Sequence, residues 1–158
     1  MDAESTPRQH WEPHRLASFV ARFLDAAIPL EEWAPHTSHL AVSTVICRRH
    51  PADALQRMRA GIKALNAANN VVGRYHETVT RFYVERIVEL LGRSDRGQSD
   101  AELVNEVIAA LGGSRERREG IWRRYYLDEG FPWNHPTARD VWVGPDLDGS
   151  RSGRPGST

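Results

Sequence analysis

The residues best equipped for chemistry fall in two short stretches. Tyr75-His76-Glu77-Thr78-Val79-Thr80-Arg81-Phe82-Tyr83 gathers a histidine, a carboxylate, hydroxyls and phenols within a few turns of a helix. The other dense histidine stretch is His36-Thr37-Ser38-His39. Together they allow three chemistries. His36, His39, His76 and Glu77 could hold a divalent metal (Zn, Fe or Mn) and leave a position open for water or substrate. Without metal, His39, His76 and Glu77 beside a tyrosine could do general acid–base work, because a shifted imidazole titrates near neutral pH. Cys47 as a nucleophile with His39 or His50 is the weakest of the three, since apolar neighbours raise a thiol's pKa and leave it inert.

Plainer roles compete with each of these. A core-facing histidine is usually a hydrogen-bonded packing residue; His36 is equally suited to cap a helix start and His50 to supply a cation at a helix end. Neither H-x-x-H nor the adjacent H-E has the H-E-x-x-H spacing of zinc proteases. Arg81, Glu85 and Glu89 read as a solvated face with pairing one turn apart. Mixed signs give Arg115-Glu116-Arg117-Arg118-Glu119 the same reading and argue against a nucleic-acid patch.

The elements that must position these residues are helical throughout. Leu16, Phe19, Val20, Phe23 and Leu24 recur at helical spacing between His14 and Ala27. Leu40 to Cys47 carries no formal charge, so a second helix from Thr37 or Ser38 to Arg49 is expected to be central and buried on most sides. Pro51 suits the first position of a third helix with Leu55, Met58, Ile62 and Leu65 inward, followed by a loop from Asn66 to Gly73. A fourth runs from Tyr75 to Leu91. On a wheel of about 100° per residue it aligns His76, Thr80, Tyr83, Ile87 and Leu90, with Glu77 at the edge of that face. His36, His39, Ser43, Cys47 and His50 cluster likewise on the second helix, so the two histidine faces are expected to meet. Ser99-Asp100-Ala101-Glu102 is a capping box opening a fifth helix, and Ser114 is placed to cap a sixth running to Asp128. Phe131 to Leu147 is rich in proline and aromatics without period, and reads as an extended segment laid over the bundle.

Size and composition bound the rest. At 158 residues and 17.9 kDa the chain fits one domain, expected over 13–148, with a flexible arm at 1–12 and a disordered tail at 149–158. Net charge is zero, which gives no footprint for nucleic acid or an anionic membrane. Only Lys63 among the 21 basic residues is a lysine, so arginine here reflects composition more than function. The lone cysteine, the polar N-terminus without an apolar leader and the lack of a long apolar run point to a cytoplasmic protein.

Trp33, His36-x-x-His39-Leu40, Tyr75-His76-Glu77-Thr78-x-Thr80-x-Phe82, Tyr125-Tyr126 and Pro136-x-Ala138-Arg139-x-x-Trp142-x-x-Pro145-Asp146-Leu147 also resemble an uncharacterised family of small bacterial helical proteins. That family carries W…H-x-x-H-L, G-Y-H-E-T and S-P-x-A-R-x-x-W-x-x-P-D-L blocks. The likeness spans Phe23 to Leu147, and its tail block is the most specific part. Arg74 stands where the family has glycine, the preceding loop is shorter, and His135 replaces the serine before the tail proline. The resemblance bears on the site rather than the chemistry: it favours His39, His76 and Glu77, and implies that Arg139 anchors an acidic group or Asp146.

The expectation is therefore an all-α bundle of five to six helices with an extended C-terminal segment. Its function would be that of a small-molecule enzyme with a His/Glu site between two helices. His39, His76 and Glu77 would be catalytic, with Tyr75, Tyr83 and Arg139 contacting substrate. The alternative is a non-catalytic ligand-binding or accessory protein, a homodimer among its forms, in which the histidines are structural.

Overall fold

From Ser38 to Cys47 the chain has no Asp, Glu, Lys or Arg, and such a helix is stable only when surrounded. The computed structural model describes residues 10–112 and 115–149 and contains α1 (Pro13–Leu24), α2 (Thr37–Arg49), α3 (Ala54–Ala68), α4 (Glu77–Leu91), α5 (Asp100–Leu111) and α6 (Arg115–Tyr125), with a 3-10 turn at Leu30–Glu32. No strand occurs among the described residues. This is an all-α bundle. Every residue of α2 from Ser38 to Cys47 is buried, and α1, α3, α4 and α5 all pack against it. The Thr44 hydroxyl is satisfied within the helix by donating to Leu40 O at 2.7 Å. α6 packs on α5, and its Trp122 stacks on Phe82 of α4 with ring centroids 4.1 Å apart. Among the described residues no helix is long and apolar enough to cross a membrane.

Several boundaries differ from expectation, each for a local reason. α1 ends at Leu24, because Ala26 turns left-handed (φ 52°) and drops Ile28 into the core. Residues 51–53 form a turn, so α3 starts at Ala54; it runs on through Asn66 to Ala68. Asn69 ends it by donating to Leu65 O and Ile28 O and accepting from Leu30 N–H. α6 stops at Tyr125, whose carbonyl accepts from Leu147 N–H. Half of the expected capping box of α5 is formed: Ser99 Oγ accepts from Glu102 N–H. Trp11 is buried, exchanging hydrogen bonds with Asn105 through its backbone N–H and C=O. Residues 1–9 of the expected arm, the Ser114 cap and the tail from 150 onward lie outside the described residues.

Residues 126–149 form neither helix nor strand and lie over the bundle. The Thr78 hydroxyl clamps them to α4, donating to Val141 O at 3.0 Å and accepting from Val143 N–H at 3.1 Å. Tyr126 donates to Val143 O at 2.7 Å. These bonds fix the start of α4, where the candidate residues sit.

Candidate functional site

A helix start exposes backbone N–H groups that need acceptors from outside the helix. At α4 the first three helical residues find them, and Thr80 makes the first bond of the helix proper. Glu77 N–H donates to Arg139 O (2.8 Å) and Thr78 N–H to Ala138 O (3.2 Å), both on the C-terminal segment. Val79 N–H donates to the His76 ring at Nδ1 (3.2 Å), and Thr80 N–H to His76 O (3.0 Å). His76 is thus the N-cap, with extended backbone at φ −130° and ψ 108°. This corrects the wheel that placed it inside the helix. Its ring direction follows from the extended backbone, not from the helical period, so it does not continue the Thr80–Tyr83–Ile87 face.

Glu77, the first helical residue, goes another way. Its buried carboxylate receives Arg59 of α3 through Nε (2.7 Å) and Nη2 (3.0 Å), and the Tyr75 phenol at 3.0 Å. Burial, then the Glu77 charge, push the Tyr75 phenol up to about 12, so it stays a donor. These groups, with Lys63, Arg139 and Asp140, line a cavity of about 570 Å³. The Lys63 ammonium lies 4.9 Å from the Tyr75 ring centre. The Arg139 guanidinium donates to Gly73 O (3.3 Å) and Arg74 O (3.4 Å), while Asp146 accepts from Leu127 N–H. The expected Arg139–Asp146 pairing is therefore not made. Tyr75, Glu77 and Arg139 do share one cavity, but Glu77 is already engaged there.

The histidines belong to another place. A larger cavity, about 740 Å³, opens between the α2 start, α4, α6 and residues 128–133; His36, Val79, Tyr83, Trp122 and Trp133 are among its walls. His36 Nε2 lies 3.1 Å from Leu111 O. A carbonyl only accepts, so Nε2 carries the proton and Nδ1 holds the free lone pair. Burial lowers the pKa of His36, partly opposed by that hydrogen bond and reinforced by the Arg118 charge. The ring stands edge-on to Tyr83, 5.1 Å between centroids. Burial pushes the Tyr83 phenol up to about 12, against lowering pulls from Trp122 and Arg118.

His39 stands behind this wall, its ring 6.2 Å from Tyr83. Its Nδ1 is 3.5 Å from the Ser43 hydroxyl, a long contact, and its Nε2 is buried without a partner among the described residues. Complete burial, with His36 nearby, lowers its pKa to about 4. His76 reaches the cavity only through Trp133, on which its ring packs edge-on at 5.3 Å. Burial, then the Arg139 charge, hold His76 down at about 4 as well. His39 and His76 are accordingly neutral at pH 7, and burial shifts His36 toward its neutral form.

His36 and Tyr83 line this cavity and His39 and His76 adjoin it, whereas Tyr75, Glu77 and Arg139 line the smaller one. Among the described residues no three His, Cys, Asp or Glu side chains form a group that could hold a metal ion. Cys47 is buried and its thiol is pushed up to about 12, in keeping with inertness. His50 is an exposed C-cap residue of α2.

Sequence reasoning missed Arg59, Trp122, Trp133 and the α6 arginines as wall residues. The 115–119 run looks solvated because Arg115 and Arg123 do pair with Glu119 (2.9 and 3.5 Å), yet the same face borders the cavity. The signal that could have found it was Trp122 one turn beyond that run, which requires its face to approach the core. Comparison of the chain with family models, curated proteins and solved structures finds no match.

Proposed function

We propose that this protein is a small-molecule enzyme that moves a proton in the larger cavity. His36 Nδ1 is the base, the Tyr83 phenol is the hydrogen-bond donor, and Trp122 and Trp133 supply the walls that hold the substrate and exclude water. The observation that supports this most is the His36 ring: shifted toward its neutral form, fixed in one tautomer by Leu111 O, and lining a cavity with its other nitrogen uncommitted among the described residues. A base needs an uncommitted lone pair within reach of substrate; His36 Nδ1 offers one, whereas the Glu77 carboxylate already accepts from Arg59 and Tyr75.

The substrate need not be identified for the test. A defined mixture of metabolites is incubated in D₂O with wild-type protein or His36→Gln, and carbon-bound deuterium is followed by NMR. Exchange catalysed by the wild type and lost in a folded His36→Gln is the expected result. Ligands that bind in the cavity without any exchange or turnover would instead favour the second reading, a non-catalytic binding protein. The observation on that side is Glu77, one of the three residues expected to be catalytic, which is held by Arg59 and Tyr75 in a structural clasp.

A further inference from the structure

The larger cavity also carries information about what fills it. Four of its wall residues are aromatic: Tyr83, Trp122, Phe131 and Trp133. Trp122 and Phe131 belong to the packed aromatic cluster of the core, whereas Trp133 is 68 % exposed and touches the protein edge-on at His76. A ring left this open forgoes apolar burial that a flat ligand in the cavity would restore. The charged wall residues cancel: Arg115, Arg118 and Arg123 of α6 stand against Glu119 on the same helix and Asp128 and Glu129 across the cavity. Arg115 and Arg123 both bond Glu119. An ion entering from water would give up its hydration for no net opposite charge. An uncharged ring meets no such penalty.

The polar end of the cavity comes from two neighbours, His36 and Tyr83, whose ring centroids are 5.1 Å apart. Leu111 O takes the Nε2 proton of His36, so Nδ1 can only accept. Among the described residues Nδ1 is neither hydrogen-bonded nor sealed from solvent. Tyr83 has the opposite need. The side chain that hydrogen-bonds to its phenol, Trp122, is a donor only, so the Tyr83 hydrogen remains to be given. An acceptor and a donor side by side match a ligand edge that carries a hydrogen next to an acceptor oxygen.

We infer that the ligand of this cavity is an uncharged, flat ring bearing a carbonyl with an acidic hydrogen on the adjacent atom. The hydrogen faces His36 Nδ1, the carbonyl oxygen accepts from Tyr83, and the ring lies against Trp122 and Trp133. This inference rests on the proposed use of the cavity and adds the substrate class. When the hydrogen leaves, its bonding pair moves into the carbonyl system as an enolate and a new N–H bond forms at Nδ1. Charge then develops on the carbonyl oxygen, where the hydrogen bond from Tyr83 strengthens. Return of the proton, to the same atom or to another along the conjugated system, completes the step without a further reactant.

2-Quinolone imitates this edge with a lactam N–H beside its carbonyl. Quinoline keeps the ring and an acceptor but lacks the donor hydrogen, while 2-naphthoate and 2-naphthylmethylammonium carry a charge. Binding at pH 8 is read from the indole N–H signal of Trp133, assigned with Trp133→Phe. 2-Quinolone is expected to shift that signal saturably and to bind about tenfold more tightly than quinoline, with both ions weaker than quinoline. His36→Leu should bring 2-quinolone down to the level of quinoline and leave quinoline unchanged. Tyr83→Phe, which keeps the ring shape, should weaken both. Equal or tighter binding by either ion overturns the uncharged class. 2-Quinolone no tighter than quinoline, or unaffected by both variants, overturns the recognised edge. If no probe moves the Trp133 signal, the ligand class falls. The deuterium exchange then decides the proposed use of the cavity, which stands if exchange is seen and lost in His36→Gln, and falls if it is not.

Discussion

On one side of the α4 start, Glu77, Arg59 and Tyr75 use up one another's charge and hydrogen bonds. On the other, His36 keeps a free lone pair and Tyr83 its phenol beside a cavity of about 740 Å³. The two sides are reached from adjacent residues, His76 and Glu77, because the backbone switches there from extended to helical. What separates a fastening from a working site in this molecule is therefore not residue type. A carboxylate with an arginine and a phenol in place has little left to offer a substrate, whereas a neutral imidazole with one nitrogen committed still has the other.

The sharpest way to break that contrast is acid. His39 is held near 4 in the folded chain against 6.5 when unfolded. Between those values the unfolded state binds the extra proton, so stability is full above about pH 6.5 and falls as pH drops toward 4. The loss attributable to His39 is on the order of 3 kcal/mol at most. Urea unfolding between pH 8 and pH 4.5 should show it, and His39→Gln should reduce the slope, leaving the part that His76 and His36 contribute, whatever it does to stability at pH 8. An unchanged slope in that variant would show that the buried imidazole is not what makes the histidine side acid-sensitive.

Next in size is the fastening itself. Glu77→Gln leaves Arg59 facing a neutral amide, and because Arg59 is part-exposed the cost should be about 2 kcal/mol, not the full penalty of a buried charge. Chemical denaturation measures the loss, and the carbon-bound deuterium exchange attributed to His36 should survive it. A folded Glu77→Gln that no longer catalyses that exchange would merge the two sides into one site.

His76 lies on the boundary and separates capping from recognition. Alanine removes the acceptor for Val79 N–H and should cost about 1 kcal/mol, whereas asparagine, itself a good N-cap, should recover most of that. Both lose the Trp133 contact, so the Trp133 indole signal should move in both variants while only His76→Ala melts early. The smallest effect belongs to the rim: Arg115→Ala removes an exposed ion pair with Glu119 and should change stability by less than about 0.5 kcal/mol. A larger change would mean that the rim is built more tightly than its exposure suggests.

Much of the frame was legible in the residues themselves, and the reasons are local. The charge-free middle of α2 announces a surrounded helix, and Ser99 with Glu102 announces the α5 start. His36 and Tyr83 line one cavity, and Tyr75 and Arg139 another. The division between them was not legible. It depends on where α4 begins, and that is decided by Ala138 and Arg139 offering carbonyls from more than fifty residues downstream. A wheel drawn from Tyr75 assigns His76 and Glu77 neighbouring directions on one helix; the real pair straddles its end. Arg59 was hidden for another reason, as one arginine among many in a chain with a single lysine.

The dependence of α4 on that downstream segment has a consequence for biosynthesis. Helices α1 to α6 are all synthesised before residues 138–143, and a nascent chain folds from its N-terminal side as it emerges. Until that later segment arrives, the first amides of α4 lack their acceptors and Thr78 has neither of its partners. Both cavities are thus completed only after all six helices have been synthesised. A chain released just past α6 would lack the residues that close both cavities, so the order of synthesis makes the two cavities the last features of the fold to form.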